Sequence, residues 1–228
     1  MAKDDSKKQA GKPAPKGASG KKSAPKHDAA AYAAVDTGPK VPPRLRVMYE
    51  EQIRAKVAEK FGIKNPMEMP RLEKIVLNVN MGRHLEGTKI PPHIKTTVLD
   101  TLVKVTGQKP VVLKAKKSVS NFKVREGLDT AAMVTIRRER MWHFLDRLIN
   151  LATPRIKDFR GLGDKAFDKQ GNYAMGLTEQ GVFPEINMVD AAFTHGMNIN
   201  MCFRNSNPAL SRFVLELLGL PFVKPDQK

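Results

Sequence analysis

Leu45, Tyr49, Ile53, Val57 and Phe61 recur every four residues and predict a helix that begins near Pro42-Pro43. At that spacing the five side chains form one apolar stripe. Glu50 and Arg54 stand at i,i+4 on the polar side, where an ion pair is expected. Gly62 is placed to end the helix. The segment 72–82, LEKIVLNVNMG, has a different period. Ile75, Leu77, Val79 and Met81 share one strand face; Lys74, Val76, Asn78 and Asn80 share the other. One face can enter a core, and the other offers a cation and two amides.

The alternation of periods continues down the chain. Ile94, Val98, Leu102 and Val105 predict a helix over about 92–106, closed by Gly107. Pro110 opens a strand, VVLKAKK, and a second strand follows at 131–137, AAMVTIR. Arg138 to Thr153 reads as a helix that buries Met141, Leu145, Leu148 and Ile149 and stops at Pro154. From Lys157 to Glu185 glycine and charge predominate, so long mobile loops are expected, with one short strand near Tyr173–Leu177. Met197, Ile199, Met201 and Phe203 alternate with Asn198, Asn200 and Cys202 as a half-buried strand. Asn207-Pro208 begins a last helix carrying Leu210, Phe213, Val214, Leu217 and Leu218, which Gly219 and Pro221 end. No internal repeat is visible. One-faced strands with helices between them predict an α+β fold with a largely antiparallel sheet.

Composition sets the surface. Lys plus Arg number 40 against 23 Asp plus Glu, a net charge of +17 over 228 residues. A pI near 10.0 marks a partner of polyanions, nucleic acid first and an acidic membrane surface second. Residues 1–46 hold eleven Lys or Arg and four Asp, a net of +7, so the rest of the chain is basic too. Residues 1–41 read as an unordered Lys/Ala/Pro-rich extension, because they cannot bury enough apolar surface to offset ordering entropy. That extension serves either as a solubilising tail or as a loose RNA contact. A transit peptide is not expected, since no Arg precedes Arg44 and Asp4 and Asp5 sit near the start. Residues 42–228 are expected to form one domain. Cys202 is the sole cysteine, which precludes an intramolecular disulfide and fits a reducing compartment. No apolar run approaches the ~18 residues of a membrane span.

Catalytic signatures are missing from the chain. Gly82-Arg-His-Leu-Glu-Gly87-Thr88-Lys89 comes near a phosphate-binding loop, but the closing Lys-Ser/Thr pair is reversed. Pro91 and Pro92 also keep that loop from running straight into a helix. The histidines do not cluster in sequence, and no HExxH or GxSxG is present. Asp164 and Asp168 sit among lysines, where solvated loop residues are expected rather than an acid and base. No metal or cofactor is expected, and no enzymatic activity.

A set of longer motifs carries a resemblance. PRLEKIVLN (70–78), TGQKPVVLKAKKSVSNFKVREG (106–127), VTIRRERMWHFLDRL (134–148) and PRIKDFRGL (154–162) occur in order. FD-x-x-GNY-x-MG (167–176), FPEI (183–186) and LGLPF (218–222) follow. Over about residues 45–223 the chain resembles the bacterial-type large-subunit ribosomal protein of family number five, the 5S rRNA binder. The resemblance implies a curved sheet with helices packed on one face and protruding loops, in a cytoplasmic, ribosome-bound structural protein. It implies 5S rRNA, P-site tRNA, large-subunit proteins of the central protuberance and a small-subunit head protein at an intersubunit bridge as partners.

Residue by residue, the resemblance puts Lys74, Asn78 and Asn80 on the 5S rRNA surface, with Lys109, Lys114 and Lys116 on the neighbouring strand. The family commonly has glycine at the position of Asn80, and Gly, Lys and Gly at those of Ala131, Met133 and Arg138. Lys117, Ser118, Asn121, Phe122, Lys123 and Arg125 match a protruding loop aimed at tRNA. Phe122 can stack on a base or sugar, or pin the loop to itself. Such a loop is expected to need a partner for its order. The alternative is a free RNA-binding regulator or RNA chaperone using the same surface; co-sedimentation with large subunits separates the two.

Overall fold

A computed structural model describes residues 41–86, 89–188, 191 and 193–223. The chain divides into two units, Met1–Thr37 and Gly38–Lys228, and the described residues belong to the second. The expected unordered extension, Val41 apart, lies outside the described residues, as do Gly87 and Thr88 of the loop that resembles a phosphate-binding motif.

The first helical stretch runs as α1 (Arg44–Met48), a π-helical turn (Tyr49–Ile53) and α2 (Arg54–Phe61). The π turn has a physical reason. A four-residue repeat outruns the 3.6 residues of an α turn, so its stripe would drift around the helix. Widening one turn keeps Leu45, Tyr49, Ile53 and Val57 on the buried side, all at most 7% exposed. Phe61 leaves the stripe. It is exposed and meets Phe213 edge-on at 5.7 Å. Glu50 pairs with Arg46 at 2.9 Å rather than with the expected Arg54.

Five strands follow: β1 (Arg71–Asn80), β2 (Val111–Lys114), β3 (Asp129–Arg137), β4 (Tyr173–Leu177) and β5 (Met197–Arg204). They form one sheet in the order β2-β3-β1-β5-β4, with every neighbouring pair antiparallel. The helices α3 (Pro92–Thr106), α4 (Arg138–Arg147) and α5 (Pro208–Leu217) complete the regular elements. Gly107 ends α3 at φ 64, a left-handed geometry that glycine takes without a Cβ clash. α4 continues through a π-helical turn (Leu148–Ala152) into a tight turn that holds Pro154, and the chain becomes extended at Ile156.

All the core lies on one side of the sheet. Ile75, Leu77 and Val79 of β1, Ile136 of β3 and Ile199 and Met201 of β5 are fully buried there. Val98, Leu102 and Val105 of α3, Phe144 and Leu145 of α4, and Val214 and Leu215 of α5 join the same cluster. Each fully buried aliphatic side chain contributes about 1.5–3 kcal/mol of burial energy. That contribution fixes the register, because a slip of one residue would turn the whole apolar set of a strand to solvent.

The glycine-rich segment is more tightly packed than its composition predicts. The rings of Phe167, Tyr173 and Phe222 meet at 4.6–5.8 Å, and Leu162 pairs with Phe222. Asp164 bonds Arg212 at 3.2 Å. Burial, with a smaller push from Asp164, raises the Tyr173 phenol to about 12, and its hydroxyl donates to the Gly163 carbonyl at 3.3 Å. Farther on, Arg147 binds both the Glu185 carboxylate and the Val105 carbonyl, which ties the FPEI segment to α3 and α4.

Candidate nucleic-acid interface

The second face of the sheet carries the other parity of each strand. Across its middle, Val111, Met133, Asn78, Asn198 and Gly176 lie in one cross-strand row. Thr135, Val76, Asn200 and Ala174 make the next row, and Arg137, Lys74 and Cys202 the one after. These residues are half-buried or exposed, where their core-facing neighbours are buried. Six of these twelve residues are Val, Met, Ala, Gly or Cys, and the other six offer three amides, a hydroxyl and two cations to a polar partner.

Asn78 stands near the centre. Its side-chain oxygen is enclosed and has no hydrogen-bond partner. A buried acceptor left unpaired costs about 1–3 kcal/mol, which a donor from a bound partner would offset. Asn80 is used differently: its Oδ1 accepts from the Gly82 N–H at 2.8 Å. That bond holds the turn Gly82–His84. The asparagine thus has a local role in the turn, and its amide N–H₂ remains for a partner.

Lys109, Lys114 and Lys116 are exposed and lie along the edge strand β2 and its two ends, beside the amide row rather than within it. Asp129 is the register partner of Lys114, but its carboxylate is taken by Lys95 at 2.6 Å. The edge therefore stays cationic.

Beyond Lys114 the chain builds a hairpin that holds itself together. The Ala115 N–H donates to the Leu128 carbonyl at 2.8 Å, and Val119 and Val124 bond in both directions at 2.9 and 3.2 Å. Ser120–Phe122 form a tight turn ended by Lys123 at φ 53. The expectation that this loop needs a partner for its order is corrected by these bonds. Of the two roles open to Phe122, pinning the loop does not fit, because the residue is 72% exposed. Lys117, Ser118, Asn121, Lys123 and Arg125 are exposed around it.

Three features escaped the sequence reading. Asn198 and Asn200, whose alternation with Met197, Ile199 and Met201 was legible, had no assigned place on the RNA surface; the register sets Asn198 beside Asn78 and Asn200 beside Val76 on the open face. Arg137 lies opposite Lys74. Histidines distant in sequence also approach: Phe193 packs at a tilt against His84 at 4.8 Å and against His195 at 5.5 Å. Burial lowers the His195 pKa, a bond to the Gly196 carbonyl opposes this, and the nearby His84 lowers it further. Among the described residues no group of three or more His, Cys, Asp and Glu is placed to hold a metal ion. Among the same residues no helix is long and apolar enough to cross a membrane.

An α+β scaffold with one covered face, one open polar face and a cationic edge defines a class of protein that meets a polyanion by surface complementarity. Comparison with known proteins narrows that class. The family model of ribosomal protein L5 matches residues 65–125, and the model of the C-terminus of the same ribosomal family matches residues 129–222. The large ribosomal subunit protein uL5 of Bdellovibrio bacteriovorus is 49% identical over 181 residues, covering 79% of this chain and 99% of its own length. Those of Helicobacter pylori and Wolinella succinogenes are 47% and 46% identical, each over 79% of this chain and 97% and 96% of their own lengths. The chain belongs to the ribosomal protein L5 family. It is a structural, non-enzymatic constituent of the large ribosomal subunit, associated with rRNA and bound to the ribosome in the cytoplasm. Membership decides between the ribosomal role and the free regulator in favour of the former.

Proposed function

We propose that this protein binds 5S rRNA through the open sheet face and the β2 edge, and helps attach it in the central protuberance beside neighbouring large-subunit proteins. The observation that carries this reading is the enclosed, unpartnered Asn78 oxygen at the centre of an otherwise uncovered polar face. Once the amide turns toward the open face, RNA supplies the missing donor as a 2′-hydroxyl or a base amine, and the flanking lysines meet phosphates. The mechanism is positioning: cations set affinity, and amides in register fix the site. The exposed hairpin serves P-site tRNA, and contact with a small-subunit head protein completes the intersubunit bridge.

The test is 5S rRNA binding by the purified full chain. Asn78→Ala with Asn198→Ala is expected to weaken binding by about tenfold or more while leaving the salt slope unchanged, because the amides carry no charge. Unaltered affinity would remove the sheet face from the 5S site. Intact binding in this variant together with weakened binding in edge-lysine variants would move the site to the β2 edge alone.

A further inference from the structure

The two ends of the sheet differ in charge. β1 begins at Arg71 and runs toward the 115–128 hairpin, which leaves the sheet at the far end of that strand. Ten residues at about 3.3 Å each separate the ends by roughly 30 Å. At the beginning of β1, Arg71 is the register partner of Arg204, the last residue of β5. Both lie one position from the buried pair Leu72 and Phe203, so both belong to the open face. A bulge at Glu73 follows, and then a second like-charge pair, Lys74 opposite Arg137.

Like charges directly opposite each other on antiparallel strands destabilise a sheet. Among the described residues none of these four side chains makes an ion pair or a side-chain hydrogen bond. Glu73, though adjacent, forms an ion pair with none of them. Acidic residues elsewhere are engaged by other cations, as Asp146 is by Arg44 at 2.6 Å and Glu50 by Arg46. Repulsion of this kind is relieved when an anion sits between the two guanidinium groups. Arginine is also suited to phosphate, which it can bind through two parallel N–H donors.

We propose that Arg71 and Arg204 form a phosphate clamp for the rRNA backbone at the end of the sheet opposite the hairpin. The clamp rests on the reading of the open face as an rRNA site and extends it. The amides at the middle of the face read the RNA, and the arginine pair anchors the strand as it leaves the sheet. The RNA then runs along the length of β1 instead of ending at the β2 lysines.

The experiment compares the full chain with Arg71→Gln/Arg204→Gln, and with Arg71→Lys/Arg204→Lys, by 5S rRNA binding over a range of salt. If each arginine meets a phosphate, the Gln variant loses about 1.4–1.8 from the slope of log affinity against log salt. The Lys variant keeps the slope and loses part of the affinity. The melting temperature of the Gln variant is unchanged or higher, since a repulsive pair is gone. An unchanged slope in the Gln variant overturns the clamp, and so does a lowered melting temperature with an unchanged slope. If the double Gln variant does not fold, Arg204→Gln alone supplies the same reading with half the slope change. The Asn78→Ala/Asn198→Ala chain is measured alongside. Weakening there with no effect at the arginines rejects the clamp only; no effect in either rejects the open-face site itself.

Discussion

The Ser118 hydroxyl accepts a hydrogen bond from the Glu126 backbone N–H at 2.9 Å and so joins the two limbs of the hairpin near its base. With the paired bonds of Val119 and Val124, it presents Phe122 on a prearranged support. Prearrangement lowers the ordering cost of any contact the tip makes. Replacing Phe122, Lys123 and Arg125 by alanine is therefore expected to spare the melting temperature and 5S rRNA affinity. It is expected to speed dissociation of P-site tRNA from mutant ribosomes by about tenfold, since stacking on one base is worth about 1–3 kcal/mol. Weakened 5S affinity with unchanged tRNA retention would assign the hairpin to the other RNA.

The β2 edge gives a second expectation. Lys114→Glu with Lys116→Glu should weaken 5S rRNA binding and lower the salt slope by roughly 0.7–0.9 for each phosphate no longer neutralised. Asp129 is held by Lys95, so the wild-type edge has no internal neutralisation to mask the effect. Titrations of affinity against salt decide it, and an unchanged slope would take this strand out of the interface.

Arg138 adopts φ 56 at the junction of β3 and α4. A side chain at left-handed φ costs on the order of 1 kcal/mol that glycine avoids. Arg138→Gly should raise the unfolding midpoint in urea by that order. If rRNA affinity falls in the same variant, the strained arginine is retained for its charge. A variant less stable than the wild type would show that the side chain supports the junction.

His195 sets a pH dependence. Its pKa is held below the ordinary 6.5, first by burial, so the unfolded state binds the proton more readily. The stabilisation is fully present above pH 6.5 and is lost as pH falls below it through the lower folded-state value. Thermal melts from about pH 7.5 to about pH 5 should show the decline, and His195→Gln should flatten it. An identical decline in the variant would place the titration in another group.

Much of this protein was legible along the chain. The parity of 72–82 and of 197–203, the closing of α3 at Gly107 and the strand at Tyr173–Leu177 follow from side-chain period and from the backbone freedom of glycine, which are local properties. The family motifs singled out Asn78 and the lysines at 114 and 116, which the fold sets on the open face and along its β2 edge. The sequence did not show which residues of other strands stand beside them. Arg71 meets Arg204, Asn78 meets Asn198, and His84 approaches His195 because burial of one apolar face sets the register between strands far apart in the chain. The widened turns at Tyr49–Ile53 and Leu148–Ala152 arose in the same way, since only packing on the sheet decides which side of a helix must stay inside. Packing also overrode composition between Lys157 and Glu185, where three aromatic rings hold a glycine-rich segment that its local sequence would leave loose.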